Sequence, residues 1–211
     1  MRYLEMSKGW DDFLWVKNGE GGGSREGYTP QIFDEMEQNE RNKAREILIR
    51  DSSEGDSFAI KGLPMLLGKD SIPILNELAK KENLSALALA TIYGELAKLT
   101  HDYKYIYKLI DFLFEDDPNT RSTAITYLED INLKLTDGLA KINQAMIKEN
   151  RQTSKQRLAN IIVNQVEGIT HIKLDNLQKI KLSSQIKNLE NPQNIEETIK
   201  HFFHINDTIF V

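Results

Sequence analysis

Residues 116–128 run Asp116-Asp117-Pro118-Asn119-Thr120-Arg121-Ser122-Thr123-Ala124-Ile125-Thr126-Tyr127-Leu128 (DDPNTRSTAITYL), and the reading of this stretch decides the fold. Two acids beside an arginine and several hydroxyls would suit chemistry. Asp117 followed by Pro118, however, is a helix-start signal. The carboxylate can accept from the open N–H groups of the first turn, and proline lacks only an N–H that has no helical partner there. A catalytic carboxylate pair must aim both groups into one cleft, and adjacent acids in a wet loop give no reason for that. The stretch therefore reads as a helix start leading into a packing seam. Arg121 is placed to bond loop carboxylates or carbonyls of a neighbouring unit.

The seam recurs. Ala124 and Leu128 stand one helical turn apart, as do Ala59 and Leu63, Ala88 and Ile92, and Ala159 and Val163; the small residues are 29, 36 and 35 positions apart. A small residue lets a neighbouring helix approach closely, and the aliphatic residue one turn on fills the contact. No single helix pair can bury its own apolar face, so pairs recurring at such intervals stack.

Working outward, the segment SKGWDDFLWVKNG (7–19) reads as a short helix, capped by Ser7, favoured by Asp11 and Asp12 and ended by Gly19. Trp10, Phe13 and Leu14 share one face of it. Trp10 and Trp15 lie on different sides, so one plugs the end of a helix stack and the other is an exposed interface anchor. The glycine-rich NGEGGGSREG that follows is a loop or linker, and it lacks the Gly-Lys-Ser/Thr ending of a phosphate loop. From Thr29-Pro30 onward the pattern is helical. The first helix carries the stripe Ile32, Phe33, Met36, Ala44, Ile47, Leu48, with Glu37–Arg41 and Glu46–Arg50 as i,i+4 pairs. Further helices follow Asp56 and Asp70, then cover 85–99, 102–114, 118–131, 137–148, 153–166, 173–189 and 195–203. Strand-like alternation is nearly absent. The expected organisation is an N-terminal aromatic helix and Gly-rich loop over 1–28 and a helical domain over 29–211.

DPNTRSTAITYL, DSIPILNELAKK and DYKYIYKLIDFLFEDD resemble units of HEAT-like repeats, over about residues 54–166. Asp117-Pro118 with Arg121 and Ala124 is the best match; the other units lack the Asp-Pro start and carry Ser57, Ser85 or Thr153 near it. The resemblance implies an all-α, right-handed α-solenoid (α-α superhelix) of about four helical pairs with N- and C-terminal capping helices. It implies function only loosely, because repeat scaffolds serve many roles.

The chain has 211 residues, no cysteine and a net charge of -5. Disulfides, zinc-thiolate sites and thiol nucleophiles are excluded. Residues 1–140 hold 25 acids against 17 bases, and residues 141–211 hold 7 acids against 10 bases. A chain acidic over two thirds of its length is a poor general binder of nucleic acid and suits a basic protein partner better. With no apolar leader and no long apolar run, the protein is expected in the cytoplasm, away from membranes.

His201 and His204 stand at i,i+3 with Glu196, Glu197 and Asp207 nearby, but two aromatics between them favour a capping helix over a metal site. His101 and His171 read as solvated or loop-bonded. Tyr103, Ile106, Tyr107 and Ile110 share a helical face, which favours packing over base stacking. The basic segment 141–187 suits either a solvated face or a phosphate-binding groove like that of HEAT-like DNA glycosylases, without a constellation of aromatic and carboxylate to carry over. No nucleophile, base and oxyanion donor assemble, so a non-enzymatic protein without cofactor or metal is expected. The partner-binding candidates are Trp10, Trp15, Asp56, Asp70, Asp116, Asp117 and Arg121. Small, acidic, cysteine-free HEAT-like chains are similar to bacterial toxin-immunity proteins, which implies a basic toxin domain as partner. A nucleic-acid-acting enzyme and an assembly scaffold are the competing expectations.

Overall fold

A computed structural model describes residues 6–19, 27–131 and 136–205. Among these residues every regular element is helical and no strand occurs, so the chain is all-α. It divides into two compact units between Thr100 and His101. The glycine-rich stretch lies almost wholly outside the described residues, as does Asp207.

The first unit holds α1 (Lys8–Lys17), α2 (Pro30–Asp34), α3 (Gln38–Ser53), α4 (Ser57–Leu67), a 3-10 turn (Gly68–Ser71), α5 (Ile72–Leu78) and α6 (Ala86–Thr100). Ser7 caps α1 by accepting from the Trp10 N–H, and Asn18 closes it. Asp56 caps α4 through the N–H groups of Phe58 and Ala59. The single helix expected from Thr29 is split in two. Glu37 is extended and forms a reciprocal capping box with Glu40, which starts α3 anew. Arg41 therefore donates to the Phe33 carbonyl at 2.7 Å, and Arg50 pairs with Asp51 at 2.8 Å, in place of the expected i,i+4 partners. Gly9 shows why α1 sits so close to α2: a Cβ there would run into the Ile32 carbonyl and come within 3.0 Å of Glu35.

The second unit holds α7 (Tyr103–Asp111), a 3-10 turn (Phe112–Phe114), α8 (Pro118–Asp130), α9 (Thr136–Lys148), α10 (Gln152–Thr170), α11 (Asn176–Ile186) and α12 (Pro192–Phe203). Asp117 caps α8 by accepting from Asn119 and Thr120, with Pro118 in the first turn. On α7 the buried face is Tyr105, Ile106, Leu109 and Ile110, while Tyr103 is exposed, one position round from the face expected. Among the described residues three non-glycine residues adopt positive φ, and all are histidines: His101, His171 and His204. Each directly follows the last residue of a helix, α6, α10 or α12. His belongs to the few types that tolerate the left-handed region.

The four small-residue seams are buried, Ala59, Ala88, Ala124 and Ala159 together with Leu63, Ile92, Leu128 and Val163. The helices that carry them also pack in pairs. In the first unit α4 packs against α6, and in the second α8 packs against α10. Helices pack on next-but-one helices elsewhere too, α2 on α4 and α3 on α5, and α7 on α9. Each large aliphatic residue so buried contributes about 1.5–3 kcal/mol. The arrangement is compatible with a helical-repeat fold.

Candidate functional site

The N-terminal end of the first unit is built on aromatic rings. Trp10 stacks on Phe13 at 5.6 Å, Phe13 on Tyr28 at 5.1 Å, and Phe33 closes on Tyr28 at 5.8 Å. This cluster ties α1 to α2 and to the residues just before it. A polar clasp adds to it: the buried Glu40 carboxylate accepts from the Ser7 N–H at 2.9 Å, the Ser7 hydroxyl at 2.5 Å and the Glu37 N–H at 2.9 Å. Burial alone would push this carboxyl up, but those donors and the nearby Lys43 charge hold it below the usual carboxylate range.

With Trp10 turned inward, Trp15 must face elsewhere, because five helical positions rotate the side chain by about 140°. Trp15 is 44% exposed. It lines a cleft of about 280 Å3 together with Lys8, Asp12, Gly27 and Ile32. Gly27, at φ +64°, lies against the Phe58 ring, where a Cβ would come to 2.8 Å. Phe58 is itself 50% exposed, and it sits two residues past the capping carboxylate of Asp56. Gly27 thus shares a cleft with Trp15 and lies against Phe58, with Asp12 in the same cleft and Asp56 two residues before Phe58. Among the described residues neither Asp12 nor Asp56 forms a salt bridge, while Asp51 is met by Lys17 and Arg50. The Tyr28 phenol is pushed well above its usual range, first by burial and then by the charges of Asp56 and Asp51. Rigid aromatic anchors in such a setting can grip an apolar, cationic surface.

Of the sequence candidates, Trp10, Trp15 and Asp56 come together here, with Trp10 as the buried support and Trp15 as the presented ring. Phe58 belongs with them, and its sequence signal was its place in the first turn behind a capping aspartate, where side chains often stay exposed. Asp70 lies in the 3-10 turn beyond the far end of α4, one helix length of about 16 Å from Asp56. Asp116, Asp117 and Arg121 belong to the second unit.

Arg121 is engaged from several sides. Its guanidinium donates to Glu149 at 3.0 and 3.4 Å and to the carbonyls of Glu115 and Asp116 at 2.9 Å each. Glu149 also accepts from the Arg151 N–H at 2.9 Å. Burial pushes the Glu149 carboxyl up, yet the Arg121 and backbone donors hold it below its usual range. The cleft beside this pair, about 440 Å3, is lined by Phe114, Glu115, Arg121, Lys148, Glu149 and Asn150. Asp116 keeps an exposed carboxylate at its rim, and Asp117 is occupied by its cap.

The His201 and His204 rings stand 6.5 Å apart. Among the described residues no group of three or more His, Asp or Glu could hold a metal, and no helix is long and apolar enough to cross a membrane. Within the basic segment, Lys141 pairs with Asp111 at 3.1 Å, Arg157 with Glu129, and Lys179 with Glu167 at 2.6 Å. Comparison of the chain with protein-family models, with curated proteins and with solved structures gives no match in any of the three.

Proposed function

We propose that the chain is a non-enzymatic helical-repeat protein, a right-handed solenoid of HEAT-like pairs, whose acidic first unit binds another protein. The observation that carries this reading is the pair of partly exposed rings Trp15 and Phe58, Trp15 in a cleft that Gly27 and Asp12 also line and Phe58 against Gly27, two residues past Asp56. Exposed tryptophan is the residue type most enriched at the energetic centre of interfaces. Carboxylates around it favour a basic partner and speed its capture. The finer reading is an immunity protein acting in the cytoplasm, which neutralises a basic bacterial toxin domain by occluding it. Its support is the acidic balance, the absence of cysteine and the small helical-repeat form.

A nucleic-acid-acting role for the basic segment has less support, since three of its cations are already matched by carboxylates of the same unit. The test is co-purification from the native host, followed by a toxicity assay. The expected result is a basic protein whose toxicity is suppressed by the wild-type chain and not by Trp15→Ala/Phe58→Ala. Tight duplex-DNA binding with a steep salt dependence, and no such partner, would replace this reading with the nucleic-acid one.

A further inference from the structure

Trp15 stands one helical turn beyond Asp11 and Asp12, so both carboxylates lie on its side of α1. The two lysines of α1 are engaged elsewhere, Lys8 by Glu35 at 3.9 Å and Lys17 by Asp51 at 3.8 Å, and among the described residues neither aspartate has an ion pair. Lys8 precedes Asp12 by four positions, the less favourable order for a helical pair. The polar side chains that line the cleft beside Trp15 divide in the same way. Glu35 holds two of them, pairing with Lys8 and accepting from the Gln31 amide at 2.7 Å. The other two, Asp12 and Thr29, stay open: Thr29 stands at the N-cap of α2, yet its side chain makes no capping hydrogen bond. Lys43 stands 5.9 Å from the centre of the Trp10 ring, whereas no cation lies over Trp15 among the described residues. Gly27 adds only backbone to the lining. The cleft thus offers a carboxylate, a hydroxyl oxygen and a bare indole ring, a set matched by a cation rich in N–H donors.

We infer that this cleft receives an arginine side chain of the partner protein. The inference deepens the protein-binding reading above and rests on it. A planar guanidinium can stack on the indole while its forked N–H groups reach the Asp12 carboxylate, and Asp11 adds charge on the approach. A lysine ammonium is a compact, more strongly hydrated point charge and cannot do both. The volume, about 280 Å3, falls short of the roughly 300–1,000 Å3 of small-molecule sites and suits a single side chain. Among the described residues no group of three or more His, Asp or Glu could hold a metal there.

The test is an NMR titration of the full chain with three short glycine peptides, capped at both ends, whose central residue is arginine, lysine or citrulline. The arginine peptide is expected to shift the Trp15 indole N–H signal and to saturate at millimolar concentration, with binding weakened as salt rises. That signal is told from the one of buried Trp10 by its absence in Trp15→Phe. The citrulline peptide has the same shape without the charge and is expected to leave the signal unmoved. The lysine peptide is expected to bind several-fold more weakly than the arginine one. Asp12→Asn, which changes charge without changing shape, should weaken the arginine peptide by about fivefold or more. The citrulline arm needs no variant, so a folding defect cannot decide the result. The inference is overturned if the citrulline or lysine peptide binds as well as the arginine peptide, if none binds, or if Asp12→Asn binds as wild type does. Such a failure leaves the protein-binding reading standing where a partner recovered from the host still loses affinity for Trp15→Ala/Phe58→Ala. That reading fails by itself where no partner is recovered although the arginine peptide binds as expected.

Discussion

Arg121 and Glu149, separated by 28 positions in the chain, close on each other through two hydrogen bonds, with the Glu149 side chain only 2% exposed. The same guanidinium holds the carbonyls of Glu115 and Asp116, so one side chain fastens the loop before α8 to the end of α9. Arg121→Ala leaves a buried carboxylate without its counter-charge and is expected to destabilise by about 3–5 kcal/mol. Arg121→Lys keeps the charge but loses the forked geometry, and should recover only part of that. Chemical denaturation reads both; an Arg121→Ala variant as stable as wild type would show that the pair is not a structural fastening.

Acid should weaken both units through identifiable groups. Glu40 and Glu149 are held below their ordinary value of 4.5. A carboxyl with a lowered folded pKa stabilises fully above its unfolded pKa, and that contribution is lost as pH falls through the folded one. The melting temperature is therefore expected to be flat near neutrality and to fall below about pH 4.5. Glu40→Gln and Glu149→Gln should each be less stable at neutral pH and show a shallower acid slope. A variant that keeps the full wild-type slope would remove its residue from the explanation.

Ser52 is buried, and its hydroxyl has no hydrogen-bond partner among the described residues. An unmet buried hydroxyl costs free energy, so Ser52→Ala is expected to be neutral or to stabilise by about 1 kcal/mol. A loss of more than that in a thermal melt would reveal a bond the geometry does not show.

The seams are tested by charge and by volume. Ala124 is fully buried, and Ala124→Asp is expected to cost on the order of 3 kcal/mol or more by burying an unpaired charge. Gly9→Ala must push α1 off the α2 backbone, at a cost of about 1–3 kcal/mol. Unchanged melting points would mean that neither contact sets the packing.

Trp15→Ala and Phe58→Ala should behave in the opposite way. Each ring is about half exposed, so stability should fall by no more than about 1 kcal/mol. Partner affinity should fall by about 2 kcal/mol or more for each if they are interface anchors. Lowered stability would reclassify them as parts of the fold.

Much of the architecture is legible in local chemistry. Asp56 and Asp117 stand immediately ahead of helices and cap them, because a short carboxylate and an open N–H meet within one turn. The alanine seams could be found from spacing, since helical periodicity places a small residue and the next-turn aliphatic on one face. The break between α2 and α3 could not. The apolar stripe runs through it, and only the Glu37–Glu40 capping box, supported by Ser7 from α1, makes the chain turn there.

For the candidate site the division is sharper. The sequence alone determined that this is an all-α chain and that one of Trp10 and Trp15 must be turned away from the other, because helix geometry fixes their angle. Only tertiary structure decided that Trp10 is the buried one, since that depends on Phe13, Tyr28 and Phe33 converging from separate segments. It likewise decided that Phe58 and Gly27 lie together and that Arg121 has Glu149 for its partner. Those contacts are long-range, and no local pattern carries the free energy that selects them.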